Sequence, residues 1–367
     1  MTTLKTQRNL FIFRILLGVL FLPFNPLYAH NIGILLPLSG ALANIGENSR
    51  KGILLAQKKW DPKHEFPIYF EDSQGTAQGA TLATKNLIHL KKVSLIVGDF
   101  ISSSTLAASA LTEKNKIPLI SPGSTATGIT DSKNYLFRVC FENSYQGKVL
   151  SKFAFNDMNF KSVVTLGEEG SDFSQGIIQS FKDSYKGKIL SQLSFPSGTV
   201  EFKTLLSKIR QLKPDAVLLP AYYPEAGRIL NQAYALGMRI PFLGVDGWES
   251  PQLFTLAGKG SSGHYISTHF HQSLKNAETF AKDFKKETSE DPSVIAALSY
   301  DSMMVAYTAL KQVKAPLSDL RGLISSGSYE GVSGNFKFNQ NGDANKSAII
   351  LKTTRKGYSL IKEITDN

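Results

Sequence analysis

Two apolar runs in this chain stop in the same way. "SLIVGDFISSST" breaks at Gly98 and passes through Ser102 to Thr105, and "IPLISPGST" breaks at Gly123, Ser124 and Thr125. Serine at a helix start can cap it, and the unpaired backbone N–H groups beside it attract an anion. Farther on, "LPAYYPEAGRIL" sets Tyr222 just ahead of a helical pattern, and "FLGVDG" ends a run at Asp246. An anion-binding edge facing a carboxylate and a phenol suits a zwitterion. Burying an α-amino acid is costly unless both charged ends are paired and hydrogen-bonded. Each feature also has a plainer use, since Ser and Thr cap helices generally and Asp-Gly is a common turn.

Only a particular fold could bring these residues together. From "IGILLPL" onward the chain alternates short β-rich runs with amphipathic segments: "FPIYFED", "VSLIVGD" and "IPLIS" are separated by "GATLATKNLIHLKK" and "STLAASALTEKN". The second half repeats the alternation with "SVVTLG", "DAVLLP" and "PFLGVDG" as strands. Near-continuous apolar strands between helices imply parallel sheets covered on both faces, in doubly wound α/β layers. Two such runs, joined near residues 141–147, predict two similar lobes. In parallel sheets the ligand crevice lies at the carboxyl ends of the strands, where all of the residues above fall. Right-handed crossover places the end of "IPLIS" beside that of "VSLIVG". The closing segments "GNFKFNQNGD" and "SAIILKTT" read as a hairpin around Asn341-Gly342.

Length and composition narrow the function classes. Residues 1–29, with Lys5, Arg8 and Arg14 in or beside "LFIFRILLGVLFLPF", read as a secretory signal peptide, with Ala29 as a cleavage position and Leu27 bulkier than usual. No cysteine follows it to take a lipid, so the mature chain is expected to be exported to a periplasm without an anchor. The remaining length suits two domains. The whole chain carries 41 basic and 30 acidic residues; without the three leader residues, 38 against 30 leave +8. The lysines are scattered over many helices, which points to a basic surface rather than to nucleic acid. Cys140 is alone and expected to be buried.

At this level the chain resembles the Leu/Ile/Val-binding protein family, the branched-chain amino acid receptors among type I periplasmic solute-binding proteins. "SLIVGDFISSST", "IPLISPGST", "LPAYYPEAGRIL" and "FLGVDG" carry the resemblance, which runs over essentially the whole mature chain. It implies two Rossmann-like lobes joined by three crossover strands, residues 30–142 plus 271–335 forming lobe I and 143–270 plus 336–367 lobe II. It also implies a ligand gripped between them. By position, Ser102 and the Thr125 N–H would hold a carboxylate. A carbonyl at Gly123 or Ser124, the Thr125 hydroxyl, Tyr222 and Asp246 would hold an ammonium. Ile45, Phe173 and Tyr300 would line an apolar pocket. Asp246 stands where the family has a glutamate, Ile45 where a known receptor has a tryptophan and Phe173 where it has a tyrosine. The family's disulfide cannot form. The implied partner is the membrane permease of an ABC transporter, with no cofactor, no nucleic acid and a monomeric chain. A ligand-sensing domain for amides or short peptides is the alternative, and a hydrolase the alternative from another class.

Other motifs point elsewhere only on paper. Gly258 to Gly263 fit G-x-G-x-x-G, but the stretch leads into a strand rather than from a strand to a helix. His264, His269 and His271 cluster, yet only His269 and His271 share a strand face, short of a zinc site. No G-x-S-x-G elbow or paired carboxylates of the hydrolytic kind occur. The methionines of "SYDSMMVAYTAL" have the spacing of helix core.

Overall fold

The computed structural model describes residues 30–313 and 319–364; the predicted leader lies outside the described residues. Five strands build the first sheet: β1 (Ile32–Leu36), β2 (Ile68–Asp72), β3 (Leu95–Gly98), β4 (Leu119–Ser121) and β5 (Leu136–Arg138). They run parallel in the order β2-β1-β3-β4-β5. Connecting β1 to β4 are helices α1 (Ala43–Trp60), α2 (Ala77–His89) and α3 (Ser102–Asn115). Strands β1, β3 and β4 are buried throughout, which is why their sequences read as unbroken apolar runs.

After helix α4 (Asn143–Lys152) the chain enters a seven-stranded sheet. Its parallel part is β6 (Ser162–Glu168), β7 (Lys188–Phe195), β8 (Ala216–Leu218), β9 (Phe242–Gly244) and β10 (Tyr265–Thr268). Helices α5 (Asp172–Ser184), α6 (Lys203–Leu212), α7 (Tyr223–Ala235) and α8 (Pro251–Ala257) connect them. The lobes therefore share a plan but differ in size. The larger sheet gains two late strands, β13 (Ala348–Thr353) and β14 (Tyr358–Ile364), both added antiparallel.

That addition corrects the expected hairpin. The turn at Asn341-Gly342 exists, with Gly342 at φ 91° and its N–H bonded to the Asn339 carbonyl at 3.1 Å. Yet β12 (Gly334–Lys337) pairs with β11 (Ser328–Gly331), and β13 pairs with β10 and β14. Between β12 and β13 the chain crosses from one sheet to the other, so the turn serves a crossing instead of a hairpin.

Helices α9 (Glu278–Thr288), α10 (Val294–Gln312) and α11 (Leu320–Ser326) come between β10 and β11, and α10 returns to pack on α1. Nearly all of α10 is buried, Met303 and Met304 included, which makes its methionines core. The two helices touch at Gly52, where a Cβ would sit 2.1 Å from the Ala296 carbonyl oxygen. Among the described residues no helix is long and apolar enough to cross a membrane.

Arg138, at the end of β5 where the chain leaves the first sheet for α4, ties that crossing to the one between β12 and β13. Its side chain is fully buried; Nε donates to Asp343 Oδ1 at 2.6 Å and Nη2 to Glu142 Oε2 at 2.7 Å. Cys140, two residues on, is buried, and burial pushes its thiol up to about 12.

Candidate functional site

The two hydroxyl-rich stops do meet. The Asp99 carbonyl, just after β3, accepts from Thr105 Oγ1 at 3.0 Å, Ser121 Oγ at 2.8 Å and Ser124 Oγ at 3.1 Å. Thr105 and Ser124 also share a hydroxyl–hydroxyl contact of 2.7 Å. Ser124 thus works behind the cleft, as a clasp between strand ends. Its carbonyl is drawn to Arg138 Nη1 at 3.3 Å, alongside the Ala126 carbonyl at 2.7 Å. Ser102 opens α3 without capping it, because the N-cap position is Ile101 and no side-chain cap bond forms. Instead its hydroxyl accepts the Ala126 N–H at 3.2 Å, joining the second loop to the first. The opening N–H groups of a helix have no carbonyl one turn earlier to bond, so α3 still presents donors beside Ser102. The Thr125 hydroxyl is buried and has no partner among the described residues, while its carbonyl accepts the Asn143 N–H at 2.7 Å. Burial raises the Asp99 carboxyl to about 7, although the Phe100 and Ile101 N–H groups donate to it.

On the opposing side Tyr222 precedes α7, and its ring stacks on Phe173 at 4.9 Å between centroids. Burial pushes the Tyr222 phenol up, so it stays a neutral hydroxyl. Asp246, at the end of β9, is only 4% exposed. Its Oδ1 accepts from Gln146 Nε2 at 3.2 Å, and its Oδ2 faces His269 Nε2 at 3.3 Å. Burial lowers the His269 pKa, against the pull of Asp246, and its ring lies 3.6 Å from that of Phe141. Gln146 sits in α4 and His269 just beyond β10, so the anchor is held by segments flanking the crossings.

Between these walls lies a narrow cavity of about 10 Å³, close to the room one water needs, bounded by Ile45, Phe100, Gly123, Phe173, Tyr222, Tyr223, Asp246, Gly247, Glu249 and Ile295. Gly123 is required there: a Cβ would sit 2.2 Å from the Phe100 ring. A wider mouth of about 340 Å³ opens past Phe173 and Tyr222 and includes Ser102. Ile45, Gly123, Phe173, Tyr222 and Asp246 therefore surround one space, with Ser102 at its entrance.

Tyr300 does not join them. Its ring packs on Phe280 at 5.0 Å, with Lys59 Nζ 6.0 Å from its centroid. Ile295 of the same helix faces the cavity, and five residues at 100° each turn Tyr300 well away from that face. Phe100, Tyr223, Glu249 and Ile295 line the cavity without being marked by the sequence pattern. The first two adjoin residues already singled out; nothing local marked the other two. The histidines are engaged separately: His264 accepts the Phe242 N–H at 3.1 Å, and His271 contacts Ser273 at 2.7 Å. Among the described residues no group of three ligand-type side chains could hold a metal.

Two α/β lobes with strand-end loops facing across an enclosed cavity define a solute-binding architecture. Residues 30–357 match the periplasmic binding protein family model, and the chain belongs to that family. It is 26% identical over 322 residues to the leucine-, isoleucine-, valine-, threonine- and alanine-binding protein of Pseudomonas aeruginosa, covering 84% of this chain and 85% of that one. Among solved structures it is similar to a leucine-binding protein of Thermotoga maritima, with TM-score 0.87, 28% identity and coverage of 91% of this chain and 98% of the other. It is also similar to the branched-chain amino acid transporter substrate-binding protein of Streptococcus pneumoniae in complex with isoleucine, with TM-score 0.87, 31% identity and coverage of 92% and 99%. These relatives are substrate-binding proteins, not enzymes.

Proposed function

We propose that this protein is an exported receptor that captures a small amino acid between its lobes and delivers it to the membrane permease of an ABC transporter. One observation carries the reading: a buried carboxylate, Asp246, borders the same cleft as the strand-end residues Gly123 and Ser102, with the buried, unpartnered Thr125 hydroxyl two residues past Gly123. The ammonium would pair with Asp246 and the phenol of Tyr222. The carboxylate would take the α3 N–H groups, Ser102 and Thr125. With the Ser124 carbonyl drawn to Arg138, the Gly123 carbonyl is the better remaining acceptor. Ile45, Phe173 and Ile295 would cover the side chain. The names of the relatives support an amino acid as ligand. Because each lobe supplies part of the site, ligand contacts would favour the closed arrangement over the open one. Residues 30–142 plus 271–335 and 143–270 plus 336–367 would be the closing bodies.

The test is to denature the purified protein and identify any released small molecule by mass spectrometry, then to run a thermal-shift panel of the twenty amino acids. A released amino acid, or a panel with a clear stabiliser, is the expected result. A bound molecule lacking an ammonium or a carboxylate would end the reading, as would a panel in which nothing raises the melting temperature of ligand-free protein.

A further inference from the structure

The cleft differs in charge from the rest of the chain. Its cavity and mouth are lined by Glu168, Glu169, Asp172, Glu225, Asp246 and Glu249 and by no lysine, arginine or histidine, in a chain of 41 basic and 30 acidic residues. One of these acids is out of place. Glu249 is 7% exposed and borders the inner cavity among Ile45, Phe100 and Ile295. Its backbone N–H donates to the Asp246 carbonyl at 3.0 Å, which fixes the two acids on one turn. Its Oε2 accepts the Thr268 hydroxyl at 2.6 Å, and Oε1 has no partner among the described residues. It also lines a groove of about 750 Å³ on its other side.

Oε1 keeps the little solvent contact Glu249 has, and a hydrocarbon side chain seated against it would strip that water away and leave the oxygen unpaired, the costly case for a polar group. A hydroxyl, amide or ammonium at that point would fill the vacancy. We propose, resting on the amino-acid reading above, that Glu249 decides which amino acid is taken by selecting a side chain that carries a hydrogen-bond donor over an isosteric hydrocarbon one. Sites built to hydrogen-bond a substrate group reject the analogue that lacks it far more strongly than apolar pockets reject a methylene. Burial holds the carboxyl at about 8, with Thr268 pulling against it, so at neutral pH it can both give and accept a hydrogen bond. Hydroxyls and amides match both of those capacities.

Calorimetric titration of the ligand-free protein with three isosteric pairs tests this: valine with threonine, leucine with asparagine, and norleucine with ornithine. The donor-bearing member of at least one pair is expected to bind at least tenfold more tightly. Glu249→Leu should remove that preference, and Glu249→Gln, which keeps a hydrogen-bonding head, should retain most of it. If the hydrocarbon twin equals or beats its partner in every pair, or if Glu249→Leu leaves the preference intact, the role of Glu249 is overturned while the amino-acid reading stands. The wild-type comparison decides even if a variant does not fold. Silence from all six compounds overturns the role of Glu249, and silence across the full amino acid panel overturns both.

Discussion

The two walls of the cleft are made differently. On the wall below the first sheet, polarity is spread over many groups that brace one another. The Asp99 carbonyl gathers three hydroxyls, Ser102 holds Ala126, and Arg138 draws the carbonyls of Ser124 and Ala126 inward. On the wall below the second sheet, charge is concentrated in Asp246, held by Gln146 and His269. A distributed wall loses little when one member goes, because neighbouring N–H groups remain. A concentrated wall fails at a single residue. Changes on the second wall should therefore act on affinity, and those on the first should act as much through the shape of the loops.

The largest expected effect breaks the concentrated wall. Asp246→Ala leaves a ligand ammonium buried and unpaired, and truncating one partner of a buried charged hydrogen bond costs about 2–5 kcal/mol. On the proposed function, titration with the best-binding amino acid should show affinity falling by about thirtyfold or more. Asp246→Asn keeps the shape and a contact for Gln146 but lacks the charge, so it separates charge from packing. Parent-like affinity in the Asn variant would move the ammonium elsewhere.

Next comes the brace behind the distributed wall. Arg138 is fully buried, whereas its acids Asp343 and Glu142 reach solvent with 16% and 27% of their side chains exposed. Arg138→Met strands both acids and frees two carbonyls. Breaking a buried pair typically costs about 3–5 kcal/mol, and solvent near the acids favours the lower end, about 3 kcal/mol. Denaturant unfolding without ligand should show this loss. Because Asp343 and Glu142 belong to two crossings, a stability equal to the parent would mean that the crossings are secured elsewhere.

A pH series sharpens the contrast within the second lobe. The unfolded chain releases the Glu249 proton near the ordinary 4.5, the folded protein at about 8, so the folded state holds more protons across that window. Its contribution to stability is full below 4.5 and is lost as pH rises toward 8. His264 runs the other way: burial lowers its pKa to about 4, so its contribution is present above 6.5 and lost as pH falls through 4. Melting temperatures of Glu249→Gln should therefore gain on the parent as pH rises from 5 to 8. A constant difference across the series would mean that Glu249 does not titrate in that window.

How much of this could be read in advance depended on burial. Strands covered on both faces, such as β1 and β3, announced themselves as apolar runs. The edge strands β7 and β14 expose much of their length, so "KILSQLSF" and "YSLIKEI" carry no continuous apolar signal. Site residues on strand ends, Ser102, Gly123, Tyr222 and Asp246, were legible because topology dictates where strand ends go. Ile295 was not, since it meets the cavity through tertiary packing of a segment far away in sequence, and Glu249 was not, because nothing in the turn after Asp246 says whether its side chain faces the cleft or solvent. Tyr300 went astray by helical phase, which no pattern of residue types on a helix buried all round could fix. The turn at Asn341-Gly342 was readable, but its use in a crossing was not, because local chemistry sets a turn and the partner of the next strand is a long-range matter.

The smallest effect returns to the distributed wall. Ser102→Ala removes the acceptor of the Ala126 N–H but leaves the α3 N–H groups and the Arg138 contacts in place. A lost hydrogen bond of this kind costs about 1 kcal/mol, so ligand affinity should fall about fivefold, far less than for Asp246→Ala. Ser103→Ala, at the same mouth and exposed, makes a control that should change nothing measurable. If Ser102→Ala instead matched the loss at Asp246, this wall would also hinge on one residue, and its bracing by Asp99 and Arg138 would serve the fold alone.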